Sequence, residues 1–300
     1  MKTKLKIPAG ALLTAAAVGC VTGLLVSCTK QRASALKPID QAALQTMVET
    51  TAKELLIPGA LVLLRTPQGE FTVNYGTTLL GTTSPPSPDT HFRIASNTKT
   101  MTAAVIVLLA QEGKLRLDDP VSKYVPGVPD GDKITVTELL NMRSGLYTYD
   151  DDPDFWAVLE RDPTKVWSPA EVLAIAFKHQ PYFPPGTDFH YCNTNYALLG
   201  LIAEKIEEKP LASCFQDRLF GPLSLKDTLL PATNSNTLPE PYSHGYGQMP
   251  GFNSKISYDP TNQLTLIIWS NLTVSLDGQQ TANTLFLKML DHVYVVSRLR

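Results

Sequence analysis

The sequence predicts an α+β protein: an antiparallel sheet flanked by the terminal helices of the chain, carrying a second, mostly helical lobe. Three observations predict it. Gly59 to Arg65 and Phe71 to Tyr75 form one β-rich pair, and Phe252 to Tyr258 and Leu264 to Trp269 form another. Helical periodicity outside each pair, from Ile39 to Leu56 and from Thr281 to Val295, supplies the covering helices. Between the pairs the chain alternates short helical stretches with loops. Two hairpins so far apart in sequence most simply share one sheet, and a cleft then lies between sheet and helical lobe.

In chain order, the first helix rests on apolar residues Ile39, Ala43, Leu44, Met47, Ala52 and Leu55. Thr66-Pro67-Gln68-Gly69 turns the first hairpin, and a proline-rich loop from Thr82 to Pro88 follows. Ser96 to Glu112 is apolar on most sides after its first turn, which predicts a buried helix ending at Gly113. Val136 to Met142, Pro169 to Lys178, Asn195 to Glu208 and Leu211 to Leu219 are further helix candidates. The second of these has Ser168 as N-cap and Pro169 in the first helical position. Leu229 to Pro250 is rich in loop residues, and Asp259-Pro260-Thr261-Asn262 turns the second hairpin.

The chain has 300 residues, 43% of them hydrophobic and 18% charged, enough for a large core. A formal net charge of −2 gives no basis for nucleic-acid binding. Lys2, Lys4 and Lys6 precede an uncharged run from Ile7 to Ser27, the layout of a secretory signal. That run ends in Leu25-Val26-Ser27-Cys28, which resembles a bacterial lipobox with Cys28 as the lipidated residue; Ala17-Val18-Gly19-Cys20 is a rival, and an uncleaved membrane anchor is the other reading. Residues 1–28 are accordingly read as signal, 29–38 as a tether and 39–300 as a single domain, with its helical lobe at about 114–245. All these readings place that domain outside the cytoplasm, held to the membrane of a bacterial cell envelope. Cys192 and Cys214 lack a disulfide framework and read as small buried side chains.

The chemistry centres on Arg93-Ile94-Ala95-Ser96-Asn97-Thr98-Lys99, where loop becomes helix. Ser96 and Lys99 are three apart and share one helical face. A serine at the positive end of a helix dipole is placed to develop negative charge. Burial of an ammonium favours its neutral form, which can take the serine proton. An N-cap serine followed by a first-turn lysine is the bland alternative. His91, His179, His190 and His292 have no metal-ligand spacing, and Asp150-Asp151-Asp152 with Asp154 lacks the pattern of a calcium loop and reads as a solvated loop. No cofactor is called for.

Several ordered segments besides Ser-x-x-Lys resemble the serine β-lactamase and D-alanyl-D-alanine carboxypeptidase superfamily, in its class C-like branch. Phe92 to Lys99 is similar to the first motif of that branch. Leu115 to Pro120, Ile134 to Leu140 with Ser144-Gly145-Leu146, and Phe183-Pro184-Pro185-Gly186 leading to Tyr191-Cys192-Asn193 resemble the segments up to its second, and Gly221-Pro222-Leu223 with Asp227-Thr228 fits as well. The resemblance implies a penicillin-recognising serine hydrolase working through an acyl-enzyme on a D-Ala-D-Ala peptide, a β-lactam or an ester. Ser96 is then the nucleophile, Lys99 and Tyr191 handle protons, and Asn193, on a loop just before a helix, binds the substrate amide.

The third motif of the superfamily departs. His244-Gly245-Tyr246-Gly247-Gln248 stands at its place, but aligned on Pro250-Gly251-Phe252 the expected histidine falls on Gly245, one position from His244. The chain is also short between Asn193 and this point. Two readings stand: His244 slides into the cleft with the backbone of Gln248 as oxyanion donor, or the cleft is unfinished and the chain is an envelope lipoprotein that binds without turnover. Either way, missing helices would leave apolar surface exposed.

Overall fold

The computed structural model describes residues 36–79, 81–92, 94–162, 164–231, 248–249 and 252–295. Cys28, His244 and the joining stretch around Tyr246 lie outside them. Helix α1 (Gln41–Glu54) leads into strands β1 (Gly59–Thr66) and β2 (Gly69–Gly76). After a single turn of 3-10 helix (Ala95–Asn97) come α2 (Thr98–Gln111), α3 (Val136–Leu140), α4 (Pro153–Arg161), α5 (Pro169–Ala176), α6 (Asn193–Glu207) and α7 (Leu211–Phe215). Strands β3 (Gln248–Met249), β4 (Phe252–Asp259) and β5 (Leu264–Ser270) and helix α8 (Thr281–Val293) complete the described chain.

The two hairpins join as the sequence predicts. The strand order is β2-β1-β5-β4-β3, antiparallel at each described pairing, and β1 meets β5 with Leu61 opposite Trp269. Alternate residues of a strand face opposite sides. Ala60, Val62 and Leu64 of β1 and Leu266 and Ile268 of β5 face α1 and α8, sharing one core with Leu44, Val48, Leu285 and Met289. Trp269 points the other way and meets Phe92, ring centroids 5.8 Å apart. That second face is where the turn that holds Ser96 sits.

A separate core fills the helical lobe, built on Ile106, Leu109, Leu139, Leu198, Leu199 and Ile202. Helix α2 was expected to be buried on most sides, yet Val107 is 40% exposed. A cavity of about 620 Å³ also opens beside α2, lined among the described residues by Phe92, Met101, Phe215, Phe220, Leu229 and Leu230. Helix α4 is an element the sequence reading passed over. Its start was legible in Asp152, whose side chain caps the Asp154 N–H, and in Pro153 at the first helical position. The Leu211 to Leu219 stretch also divides, into α7 and a π-type turn over Gln216–Phe220. Among the described residues no helix is long and apolar enough to cross a membrane.

Charge ties the ends of the lobe's helices together. Arg218 pairs with Glu112 beyond α2 and with Glu207 at the end of α6, at 2.6 and 2.7 Å, and Lys114 reaches Glu207 at 2.9 Å. The Arg218 hydrogen bond, then Lys114, hold the Glu207 carboxyl at about 2 against their desolvating surroundings. A carboxyl held below its unfolded value of 4.5 contributes its full stability above that pH and loses it as pH falls from there toward 2. Thermal unfolding of the full chain in detergent is therefore expected to shift downward between pH 5 and 3, on the order of the carboxyl pKa window. Glu207→Gln should lower stability at pH 7 by about 2 kcal/mol, the loss of charged hydrogen bonds, and flatten that acid-side fall.

Candidate active site

Ser96 sits inside the 3-10 turn, two residues before α2 begins. The expected helix from Ser96 therefore starts later, and the serine–lysine spacing spans the junction between the turn and the helix. Ala95, immediately before the serine, holds φ at 39°, a left-handed conformation that costs a non-glycine residue energy. The turn is pinned on both sides. The Asn97 N–H donates to the Ile94 carbonyl at 3.0 Å, and Asn97 Nδ2 donates to Ser254 Oγ on β4, also at 3.0 Å. Ser254 lies opposite Trp269, so it occupies the sheet face that looks toward the helical lobe.

Two groups converge on Ser96 Oγ. Lys99 Nζ donates at 3.2 Å and Tyr191 OH donates at 2.9 Å. Lys99 Nζ also lies 4.9 Å from the centre of the Tyr191 ring, within cation–π range. Ser96 and Lys99 are half-buried, and Tyr191 is 46% exposed, so the site is open to solvent and to a ligand. Tyr149 and Tyr196 lie close by, but burial, foremost, raises both phenols and keeps them protonated. Tyr191 alone of the three touches the serine among the described contacts.

The segments flanking the second motif explain how Tyr191 is aimed. Asn195 is fully buried, accepting from Ser144 Oγ at 2.6 Å and donating to the Leu139 carbonyl at 3.2 Å. Thr194 Oγ1 donates to the Tyr147 carbonyl at 2.8 Å and accepts the Tyr149 N–H at 3.1 Å. The start of α6 is thus stitched to the loop after Ser144. Gly145, at φ 76°, lets that loop pass the chain at Phe183; a Cβ there would lie 2.0 Å from the Phe183 carbonyl oxygen. Glu138 closes a capping box with Thr135, and Gly186 leaves room for its carboxylate, since a Cβ would lie 2.8 Å from it.

Asn193 differs from the expectation. It is the first residue of α6 rather than a loop residue, because Cys192 takes the extended N-cap position. The Asn193 N–H donates to Thr148 Oγ1 at 2.9 Å, and its Nδ2 donates to Asp150 Oδ2 at 2.6 Å. The acidic run was read as a solvated loop, and here too the structure corrects it. Asp150 binds Asn193, Asp151 accepts from Tyr182 OH at 2.6 Å, and Asp152 pairs with His179 at 2.8 Å. Cys192 is buried with Sγ 3.4 Å from the Leu146 carbonyl; desolvation raises its thiol, which removes it as a nucleophile. Cys192 and Cys214 are both free and buried.

Of the third-motif residues, Gln248 is described through its backbone. It pairs with Asn253 at the outer edge of the sheet, in β3, which lies against the Ser96 turn. No group of described residues could hold a metal ion.

A sequence profile of the family described as Beta-lactamase matches residues 44–249, most of the chain and all of the segments above. The chain belongs to the beta-lactamase family. Its members include serine hydrolases such as amidases and penicillin-binding proteins. Protein flp of Staphylococcus aureus (strain MW2) is 32% identical over 65% of this chain and 39% of its own length. A penicillin-binding protein of Bacillus subtilis is 27% identical over 80% of this chain and 52% of its own. The chain thus spans between two-fifths and about half of the length of these curated relatives. Among solved structures, a D-stereospecific amidohydrolase from Streptomyces sp. is 36% identical, with a TM-score of 0.62 over 71% of this chain and 61% of its own. A D-amino acid amidase from Ochrobactrum anthropi SV3 shares the fold, at 20% identity and a TM-score of 0.74, over 84% of this chain and 97% of its own.

Because the passage of two backbones at Gly145 fixes the loop that aims Tyr191, Gly145→Ala is expected to destabilise the family fold here. Left-handed strain and overpacking together predict a loss of about 2–4 kcal/mol. Chemical denaturation of the full chain, followed by circular dichroism, measures it.

Proposed function

We propose that the chain is an exported serine amidohydrolase or peptidase that works through an acyl-enzyme on Ser96. One observation carries this reading: Ser96 Oγ lies within hydrogen-bond reach of both Lys99 Nζ and Tyr191 OH. In the neutral form, Lys99 takes the Ser96 proton as Oγ bonds to a substrate carbonyl carbon. Tyr191, bridging the same hydroxyl, passes a proton to the departing nitrogen as the carbon–nitrogen bond breaks. Water then attacks the ester, its proton leaving along the same pair, and Ser96 is restored. The backbone N–H groups of Ser96 and Gln248 are the proposed donors to the carbonyl oxygen, one on the turn and one on the edge strand beside it. The amide-hydrolysing neighbours support an amide over an ester as substrate, and the relatives that bear the penicillin-binding name keep D-Ala-D-Ala peptides and β-lactams in the substrate class.

A second reading has its own observation. Only residues 194–247 lie between Asn193 and β3, and an apolar cavity opens beside α2. A chain that kept Ser96 but lost turnover would bind in the same cleft. Export and a lipid on Cys28 complete the proposal, supported by the basic, apolar and lipobox-like order of residues 1–28.

The full chain is expected to form a covalent adduct with a fluorescent fluorophosphonate or a fluorescent penicillin, and Ser96→Ala to abolish it. Tyr191→Phe should keep the fold and slow labelling by about 10²–10⁴, the range of proton-transfer catalysis. No Ser96-dependent adduct with either probe leaves the binding reading. Incorporation of labelled palmitate in a bacterial host, lost in Cys28→Ala, checks the anchor.

A further inference from the structure

Two residues beyond Tyr191, Asn193 is bonded to a carboxylate, Asp150, that the proposed chemistry leaves unused. Asp150 is half-buried, and none of the described lysines, arginines or histidines forms an ion pair with it. Its neighbours differ: Asp152 has His179, and Asp151 has the Tyr182 hydroxyl. Asp150 is instead locked into a ring of neutral groups. Thr148 Oγ1 donates to its Oδ1 at 2.5 Å while accepting the Asn193 N–H, and Asn193 Nδ2 donates to its Oδ2 at 2.6 Å. Trp156 Nε1 fixes its carbonyl at 2.6 Å. The carboxylate therefore cannot swing away.

This ring sets what Asn193 presents. A carboxylate only accepts, so the nitrogen side of the Asn193 amide must face Asp150. What remains on offer to a ligand is the Asn193 Oδ1, with one N–H, beside a carboxylate that no described cation pairs. Asn193 follows Tyr191 by two residues, and Tyr191 OH touches Ser96 Oγ, so the group meeting this wall is a substituent close to the scissile carbonyl. An ammonium, with three donors and a positive charge, matches such a wall. An N-acyl group brings a carbonyl oxygen toward acceptors and has no charge to pair, and a free carboxylate meets repulsion.

We infer that Asp150, acting with Asn193, selects substrates bearing a free amine next to the scissile carbonyl, such as unacylated amino acid amides, over N-acylated or carboxylate-bearing ones. The inference rests on the acyl-enzyme reading for the placement of the substrate, but its test does not need turnover. Asp150 also lies at the positive end of α6, where an anion stabilises a helix without binding anything. The test has to separate that role from selection.

The experiment measures dissociation constants by NMR titration on full-length Ser96→Ala in detergent, with D-phenylalanine amide and N-acetyl-D-phenylalanine amide as probes. Each is then repeated with Asp150→Asn added, which keeps an acceptor for Asn193 but removes the charge. The free amine is expected to bind tighter by about tenfold, the lower end of one charged hydrogen bond, and Asp150→Asn should erase that ratio. A purely structural carboxylate would lower the melting temperature in Asp150→Asn and leave the ratio unchanged, which overturns the inference. Equal affinities with Asp150 present, or no binding of either probe, overturn it as well. A retained amine preference in a chain that shows no Ser96-dependent adduct would sink the hydrolase reading and leave the selection standing.

Discussion

The hydroxyl of Ser96 accepts from Lys99 and Tyr191 at once, and this shared oxygen is the point on which the rest of the structure turns. Lys99 comes with the serine, one helical turn along. Tyr191 comes from a segment 95 residues along the chain, just before α6, and a separation below 3 Å cannot survive small drifts of one element against another. The serine's turn is therefore anchored to the sheet through Asn97 and Ser254, while Tyr191 is anchored to the lobe through the buried Asn195 and Ser144. The Ser144–Asn195 anchor is buried and the Asn97–Ser254 anchor partly so; away from water a misplaced partner costs more than a formed bond gains.

This division explains which segments carry the family likeness. Leu115 to Pro120 contains Asp119, which accepts from the Arg116 N–H, Lys123 Nζ and Tyr124 OH and so folds the loop before α3. Those contacts, with Lys123 first, hold its carboxyl down to about 2, so the loop is held by a charge at any ordinary pH. Gly145 likewise passes the Phe183 backbone too closely for a side chain, and Gly186 leaves room for the Glu138 carboxylate. None of these residues touches the serine. They are the supports that hold Tyr191, just before α6, against the Ser96 hydroxyl, just before α2.

The architecture was legible because it rests on local signals. Alternation in the two hairpins, periodicity in α1 and α8, and the serine and proline before α5 each announce their element, and the sheet order follows from sharing hydrophobic faces. The contact of Tyr191 with Ser96 was legible only through likeness to a family, because the two residues are 95 apart and no local pattern joins them. The acidic run defeated composition. Three adjacent aspartates read as solvated, yet each finds a different partner, and those partners (Asn193, Tyr182 and His179) are brought in by tertiary packing. Helix α4 was missed for the same reason: its cap, Asp152, was counted as part of the charge cluster rather than as a helix start.

The shortened stretch before β3 removes less chemistry than its length suggests. A histidine at the third motif would act through its side chain, and such a residue must be delivered in register. An oxyanion donor needs no side chain at all, because any backbone N–H in the right place serves. Strand β3 is two residues long and pairs with β4 along one edge, at Gln248 with Asn253 and Met249 with Phe252. Its other edge carries no described strand, and it lies against the turn that holds Ser96. The place of that edge beside the turn is set by the sheet and not by the length of the lobe. Beside α2 itself, Val107 is exposed and an apolar cavity opens at Met101. Ser96 then depends on both α2 and the sheet edge for its position, since its turn runs into the one and lies against the other.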